Sequence, residues 1–137
     1  MAQATSGIEL IRQFIATSPF VGHLGMRVDE LAADHAVLTL PFSEQVVTIG
    51  QVVHGGAIAS LADTAAMAAS WATDNIPENL RGTTVALTIN YLSAATAEDL
   101  RADARVMRRG RNLCYVEVDV TRGSGPVAKA LVTYKLG

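Results

Sequence analysis

One cysteine, Cys114, occurs in 137 residues. A lone cysteine excludes an internal disulfide and a cysteine-built metal site. It lies in an alternating apolar run, where a buried structural thiol is expected rather than a nucleophile. A surplus of charge is also missing, since 11 basic residues against 13 acidic ones leave a net charge of −2. A nucleic-acid partner would usually bring a basic surplus, so none is expected. No apolar run reaches the length of a membrane span. The start, Met1-Ala2-Gln3-Ala4-Thr5-Ser6, has neither the basic segment nor the apolar core of a secretion signal, so the expected location is cytoplasmic, with no membrane partner. Internal repeats, linkers and low-complexity segments are absent as well. Hydrophobic content, by contrast, is ample. Half of the residues are apolar, the profile of a globular chain rather than a disordered one. Residues 1–137 read as one domain, long enough to bury a sizeable core.

The chain centres on Val52-Val53-His54-Gly55-Gly56, followed by an alanine-rich run to about Trp71. Two adjacent glycines before such a run read as a tight entry into a helix. The first N–H groups of that helix have no intrahelical partner and form a small electropositive cradle. Ile58, Leu61, Ala62, Ala65 and Ala69 share one helical face. Asp63 lies off that face, about two turns from the glycines. Eight alanines within 57–72 make the helix thin, as close packing on a sheet requires, and imply burial on more than one side.

Upstream, residues 6–17 read as an amphipathic helix with Ser6 as N-cap and Ile8, Ile11, Phe14 and Ile15 at helical spacing. Ser18-Pro19 ends it, and Phe20 to Gly25 reads as a loop carrying His23. Met26 to Leu31 and His35 to Pro41 read as strands about an Ala33-Asp34 turn, and Phe42 to Gln51 as a loop. Downstream of a loop at 73–77, Thr84 to Leu92 alternates with Val85, Leu87, Ile89 and Tyr91 on one face. Leu100 to Arg109, Cys114 to Thr121 and Val127 to Leu136 follow as an antiparallel meander with turns at Gly110 and 123–126. The expected class is α+β: a sheet with one buried face and one long helix to cover it.

This layout resembles the hotdog fold, in which a curved antiparallel sheet wraps a central helix. His54-Gly55-Gly56, four further residues, then Leu61-Ala62-Asp63-Thr64-Ala65 resembles the HGG…LAD signature of PaaI-like acyl-CoA thioesterases. The segments Thr84 to Leu92 and Arg108-Arg109-Gly110-Arg111 are similar to later strands of that family and arrive in the same order. At the position six residues before the histidine, where the family usually carries asparagine, this chain has Thr48. A threonine hydroxyl still donates and accepts, from a shorter side chain.

The resemblance implies an acyl-CoA substrate, a hydrolytic reaction, and neither a metal nor an organic cofactor. It assigns Gly55 as the backbone donor that polarises the thioester carbonyl, and Asp63 as general base or nucleophile. It places Thr84 beside the acid or its water, His54 in the loop before the helix, and Thr48 near the attacking water or the thioester. It also implies a site shared between two subunits, hence a homodimer at least, and a dimer of dimers, a homotetramer. Coenzyme A carries phosphates, so Arg108, Arg109 and Arg111, with Asn90 on the strand after the helix, are candidate contacts for that moiety. Two other readings of the same layout stay open: a non-catalytic acyl-CoA-binding sensor, which Thr48 favours, and a hotdog hydratase or dehydratase.

Overall fold

The computed structural model describes residues 6–137. Ser6 caps the first helix, α1 (Gly7–Thr17), its Oγ accepting the Glu9 N–H at 3.2 Å. Ile11 is buried against the core, while Phe14, expected on the same stripe, is 47% exposed. The segment 20–25 is not a loop. Pro19 opens a short helix, α2 (Pro19–Leu24), which Gly25 closes in the left-handed region at φ 72°. Proline at the first helical position and glycine past the end are the usual start and stop of a helix. A single turn and a half is too short to show a periodicity.

Strands β1 (Arg27–Ala32) and β2 (His35–Leu40) form a hairpin about Asp34, which adopts φ 60°. The segment 42–51 is more ordered than a loop. It holds a 3₁₀ turn at Glu44–Val46 and the first strand of a small ribbon, β3 (Val47–Ile49), paired with β4 (Val52–Val53). The central helix, α3 (Gly55–Trp71), follows directly. The remaining strands are β5 (Gly82–Tyr91), β6 (Leu100–Arg109), β7 (Leu113–Arg122) and β8 (Gly125–Leu136). They join β1 and β2 in a six-stranded antiparallel sheet of order β1-β2-β6-β7-β8-β5. β5 is therefore an edge strand.

α3 lies on the inner face of this sheet, packed on β2, β6, β7 and β8. All five residues of its expected apolar stripe are buried, and so are Ala66 and Ala68 on other sides. Small meets small: Ala102 and Ala104 of β6 and Ala130 of β8 are inaccessible in the same core. The thin helix and its alanine-lined bed let backbones approach closely. α1 sits just as close at the other end of α3. A Cβ on Gly7 would lie 1.6 Å from the Trp71 carbonyl oxygen, and the Gly7 N–H donates to the Thr73 carbonyl at 3.0 Å. The outer face of the sheet carries crossed ion pairs, with Arg105 and Lys129 each reaching both Glu117 and Asp119 at 3.0–3.3 Å.

Two bulges redirect side chains. In β5 the register shifts between Thr84 and Ala86, so Val85 is an extra residue, 56% exposed. Thr84 then faces inward with Leu87 and Ile89, and the expected grouping of Val85 with Leu87 fails. In β6 the register shifts between Val106 and Arg108, so Met107 bulges outward and Arg109 turns in. A bulge inserts one residue and re-aims the side chains next to it.

Cys114 on β7 is fully buried, and burial pushes its thiol pKa up, partly offset by the neighbouring Arg109 guanidinium. A thiol held neutral and out of solvent is inert. An aromatic disulfide reagent is therefore expected to leave the native protein unlabelled over a time in which the denatured chain reacts fully. Rapid labelling of the folded protein would contradict this burial.

Candidate active site

The glycine pair at the start of α3 leaves one backbone donor free. His54 is the N-cap of α3, and its ring Nδ1 accepts the Gly56 N–H at 2.7 Å. Its carbonyl accepts the N–H groups of Ala57 and Ile58 at 2.9 and 3.1 Å. The Gly55 N–H is left with no acceptor among the described residues, at the positive end of a 17-residue helix. The fit is tight on both glycines. A Cβ on Gly56 would come within 2.9 Å of the capping ring, and one on Gly55 within 3.3 Å of the Tyr91 ring. The Tyr91 hydroxyl donates to the Gly55 carbonyl at 2.7 Å and so fixes the orientation of that residue's backbone. Gly55 opens on a cleft of about 420 Å³ shared with Thr48 of β3, Val52, Ile58, Tyr91 and Ser93.

Asp63 is elsewhere. Eight residues along α3 place it roughly 12 Å from Gly55 at 1.5 Å per residue. Its Oδ1 accepts the Thr84 hydroxyl at 2.6 Å, a contact that exists because the Val85 bulge turns Thr84 inward. This pair belongs to a second cleft of about 410 Å³, lined also by Phe14, Phe20, Met67 and Tyr134. Tyr134 is 5% exposed, and its hydroxyl accepts the Trp71 indole N–H at 3.0 Å. Burial pushes the Tyr134 phenol pKa up, the Trp71 hydrogen bond opposes this in part, and the Asp63 charge adds to it. The phenol is neutral at physiological pH.

The candidates thus fall into two groups. Gly55, His54 and Thr48 share one end of α3, and Asp63 with Thr84 share another cleft. The arginines belong to neither. Arg109 is occupied within the fold: Nε and Nη2 donate to Asp34 at 3.0 and 2.7 Å, and Nη1 donates to the Ser70 carbonyl at 2.9 Å. Nη1 also lies 3.2 Å from the Cys114 sulfur. It closes the C-terminal end of α3, where free carbonyls attract a cation. Arg108 and Arg111 are exposed at the adjoining turn, at the opposite end of the helix from Gly55. Asn90 is exposed on β5, paired in register with Lys129.

Sequence reasoning places Tyr91 on one face of its strand with no role and assigns nothing to Tyr134. Their partners lie 36 and 63 residues away, so no local signal marks either one. Among the described residues, no group of three or more His, Cys, Asp or Glu is placed to hold a metal ion, and no helix is long and apolar enough to cross a membrane.

Comparison with known proteins bears on this geometry. The family model of the thioesterase superfamily matches residues 50–129, more than half of the chain and including both Gly55 and Asp63. A protein of Halobacterium salinarum named as an esterase is 30% identical over 120 residues, covering 85% of this chain and 79% of its own length. The E. coli PaaI protein, from the phenylacetic acid degradation operon, has the same fold, with a TM-score of 0.84 at 22% identity over 98% of this chain and 96% of that one. So has a Streptococcus pneumoniae thioesterase protein solved with coenzyme A, with a TM-score of 0.73 at 24% identity over 82% and 86%. The chain belongs to the thioesterase superfamily and is a hydrolase of the hotdog fold.

Proposed function

We propose that the chain hydrolyses the thioester bond of a small aryl- or acyl-coenzyme A at a site built from two copies of itself. The observation that carries the reading is the separation of the two groups. Gly55 offers a helix-terminal donor in a cleft whose described lining residues include no acid, and Asp63 offers an acid in a different cleft without that donor. Each cleft is half of a hydrolytic site. A symmetric dimer brings the Asp63 half of one subunit to the Gly55 half of the other, twice. The β5 edge supports such an assembly, since it ends the sheet and leaves Val85, Tyr91 and Leu92 50–58% exposed. Pairing of such dimers into a homotetramer belongs to the same reading. PaaI-like chemistry is the subtype that the HGG…LAD spacing favours.

In this reading the partner subunit's Gly55 N–H and helix dipole hold the thioester carbonyl and the negative charge that develops on it. Asp63 either takes a proton from the attacking water or attacks the carbonyl carbon itself, giving an anhydride that water then cleaves. Collapse of the tetrahedral intermediate breaks the C–S bond, and the coenzyme A thiolate leaves and is protonated. Thr84 donates to Asp63 and holds the carboxylate in place. Thr48 lies in the Gly55 cleft, where its hydroxyl can bind the water. A neighbour with coenzyme A bound supports a coenzyme A thioester as substrate. Arg108 and Arg111, exposed and without a side-chain partner among the described residues, are the candidates for its phosphates, whereas Arg109 already has internal partners.

The test is release of free thiol from a panel of acyl- and aryl-coenzyme A thioesters. Turnover of at least one of them is expected. Tight binding without thiol release across the panel would instead favour the sensor reading, which Thr48 in place of asparagine supports. Tyr91→Phe is expected to lower kcat about two- to tenfold with little change in KM, the effect of losing one neutral hydrogen bond that orients the oxyanion donor. An unchanged kcat would mean that Tyr91 does not position Gly55.

A further inference from the structure

Large apolar side chains are left open to solvent around one region of the surface. Phe14, Phe20 and Leu80 are 47%, 57% and 55% exposed, and all three border clefts on the same side of α3. Such clustering marks a binding surface more often than chance. The Asp63 cleft has an apolar wall made by Phe14, Phe20, Val21 and Met67. A further cleft of about 300 Å³ lies between α1 and the C-terminal half of α3, lined by Leu10, Ile11, Phe14, Met67, Trp71 and Leu80. Phe14 and Met67 belong to both clefts, so the two meet at these side chains.

The helix sets the direction. Asp63, Met67 and Trp71 follow at four-residue steps on one face of α3, which puts Met67 and Trp71 roughly 6 and 12 Å beyond the carboxylate along the axis. A group tethered to a carbonyl at Asp63 therefore runs past Met67 toward Trp71. Among the described residues none that lines the α1–α3 cleft is ionisable, and the only polar side chains there besides the indole are Gln13 and Thr17, both exposed. Such a cleft suits a hydrocarbon end and not a phosphate or carboxylate. The methionine between the clefts has an unbranched thioether that can move aside for a chain.

We propose that the α1–α3 cleft is the subsite for the distal part of the acyl group, which makes the substrate a medium-chain or arylalkyl thioester rather than an acetyl-sized one. Met67 and Phe14 form the constriction through which the chain passes. The proposal rests on the thioesterase reading of Asp63. A ligand inside one chain, continuous with the acid, accounts for the shared wall, which a partner covering the outside of α1 would not.

The chain's one tryptophan, Trp71, lines this cleft and reports on it without catalysis. Tryptophan emission is followed while the thioether S-octyl-coenzyme A, which cannot be hydrolysed, is added to the wild-type protein. A saturable shift is expected, with none from coenzyme A or S-ethyl-coenzyme A. In parallel, kcat/KM is measured from acetyl- to decanoyl-coenzyme A. Each buried methylene adds about fourfold, so at least a tenfold rise from acetyl to octanoyl is expected. Met67→Phe should narrow the passage and lower the ratio of octanoyl to acetyl kcat/KM at least tenfold. A silent Trp71 together with equal rates on acetyl and octanoyl substrates overturns the subsite and leaves the thioesterase reading standing. A Trp71 shift with no turnover of any thioester overturns the thioesterase reading and leaves the subsite standing. Neither the emission titration nor the chain-length series needs a variant, so the two together decide the matter even if Met67→Phe fails to fold.

Discussion

Asp63→Asn is expected to lower kcat for thioester hydrolysis by about 10²–10⁴-fold, the range that a positioned base contributes. The amide occupies the space of the carboxylate, and its oxygen can still accept the Thr84 hydroxyl now held at 2.6 Å. Melting temperature should therefore barely move, and the loss should fall on kcat. The bulge at Val85 is what brings Thr84 to this carboxylate, so the acid is held by the sheet while riding on the helix. Retention of more than about a tenth of the wild-type kcat would remove Asp63 from the chemistry, because even weak general-base catalysis exceeds that ratio. Turnover in heavy-oxygen water then tests the nucleophile role, since label reaching the Asp63 carboxylate marks an anhydride that water cleaves at that carboxyl.

Arg109→Ala should act on stability instead. The guanidinium binds the Ser70 carbonyl at the end of α3, bridges to Asp34 in the β1–β2 turn, and touches the buried Cys114 sulfur. Its removal strips the helix end of a cation and leaves a partly buried carbonyl without its donor. Loss of one buried partner costs about 1–3 kcal/mol, and hydrogen bonds to charged groups lie at the upper end of net values. The combined loss of carbonyl and carboxylate contacts gives an expected destabilisation of about 2–4 kcal/mol. Denaturant unfolding measures it. The same variant tests the coenzyme A assignment, for an arginine spent inside the fold leaves KM unchanged when the folded fraction is assayed. A normal midpoint with a raised KM would return Arg109 to the substrate.

The helix and the meander were legible because each rests on local chemistry. His54 and the glycine pair mark the start of α3, and the observed span Gly55–Trp71 agrees with the expected one. Alternation along 100–106 and 114–121 reflects the burial of one face, and the register of β6 and β7 preserves it. The bulges at Val85 and Met107 lay beyond such reasoning, because an inserted residue is defined by the partner strand and not by its own sequence. They decide that Thr84 meets Asp63 and that Arg109 turns inward, so an arginine read as a solvent-facing phosphate contact became a helix clamp. α2 and the β3–β4 ribbon are too short to establish a period. The hydroxyl of Tyr91 on the Gly55 carbonyl and that of Tyr134 on the Trp71 indole depend on contacts far apart in sequence. The division of the site was readable for a simpler reason: eight helical residues separate the donor from the acid by roughly 12 Å whatever surrounds them.

That division can be measured by complementation. Gly55→Pro removes the proposed oxyanion donor; proline suits the first position of a helix, His54 already holds the extended conformation that a following proline requires, and the Tyr91 ring, 3.3 Å from the added Cβ, has to give by only a few tenths of an ångström. Gly55→Pro and Asp63→Asn chains are each expected to be nearly inactive alone. Mixed in equal amounts and allowed to exchange subunits, half of the dimers become hybrids. Each hybrid carries one site with both lesions and one with neither, so activity should return to about a quarter of wild type under random pairing in a two-fold symmetric dimer. A mixture no more active than its two components would place Gly55 and Asp63 in the same site of one chain, or outside the chemistry altogether, and contradict the two-chain active site.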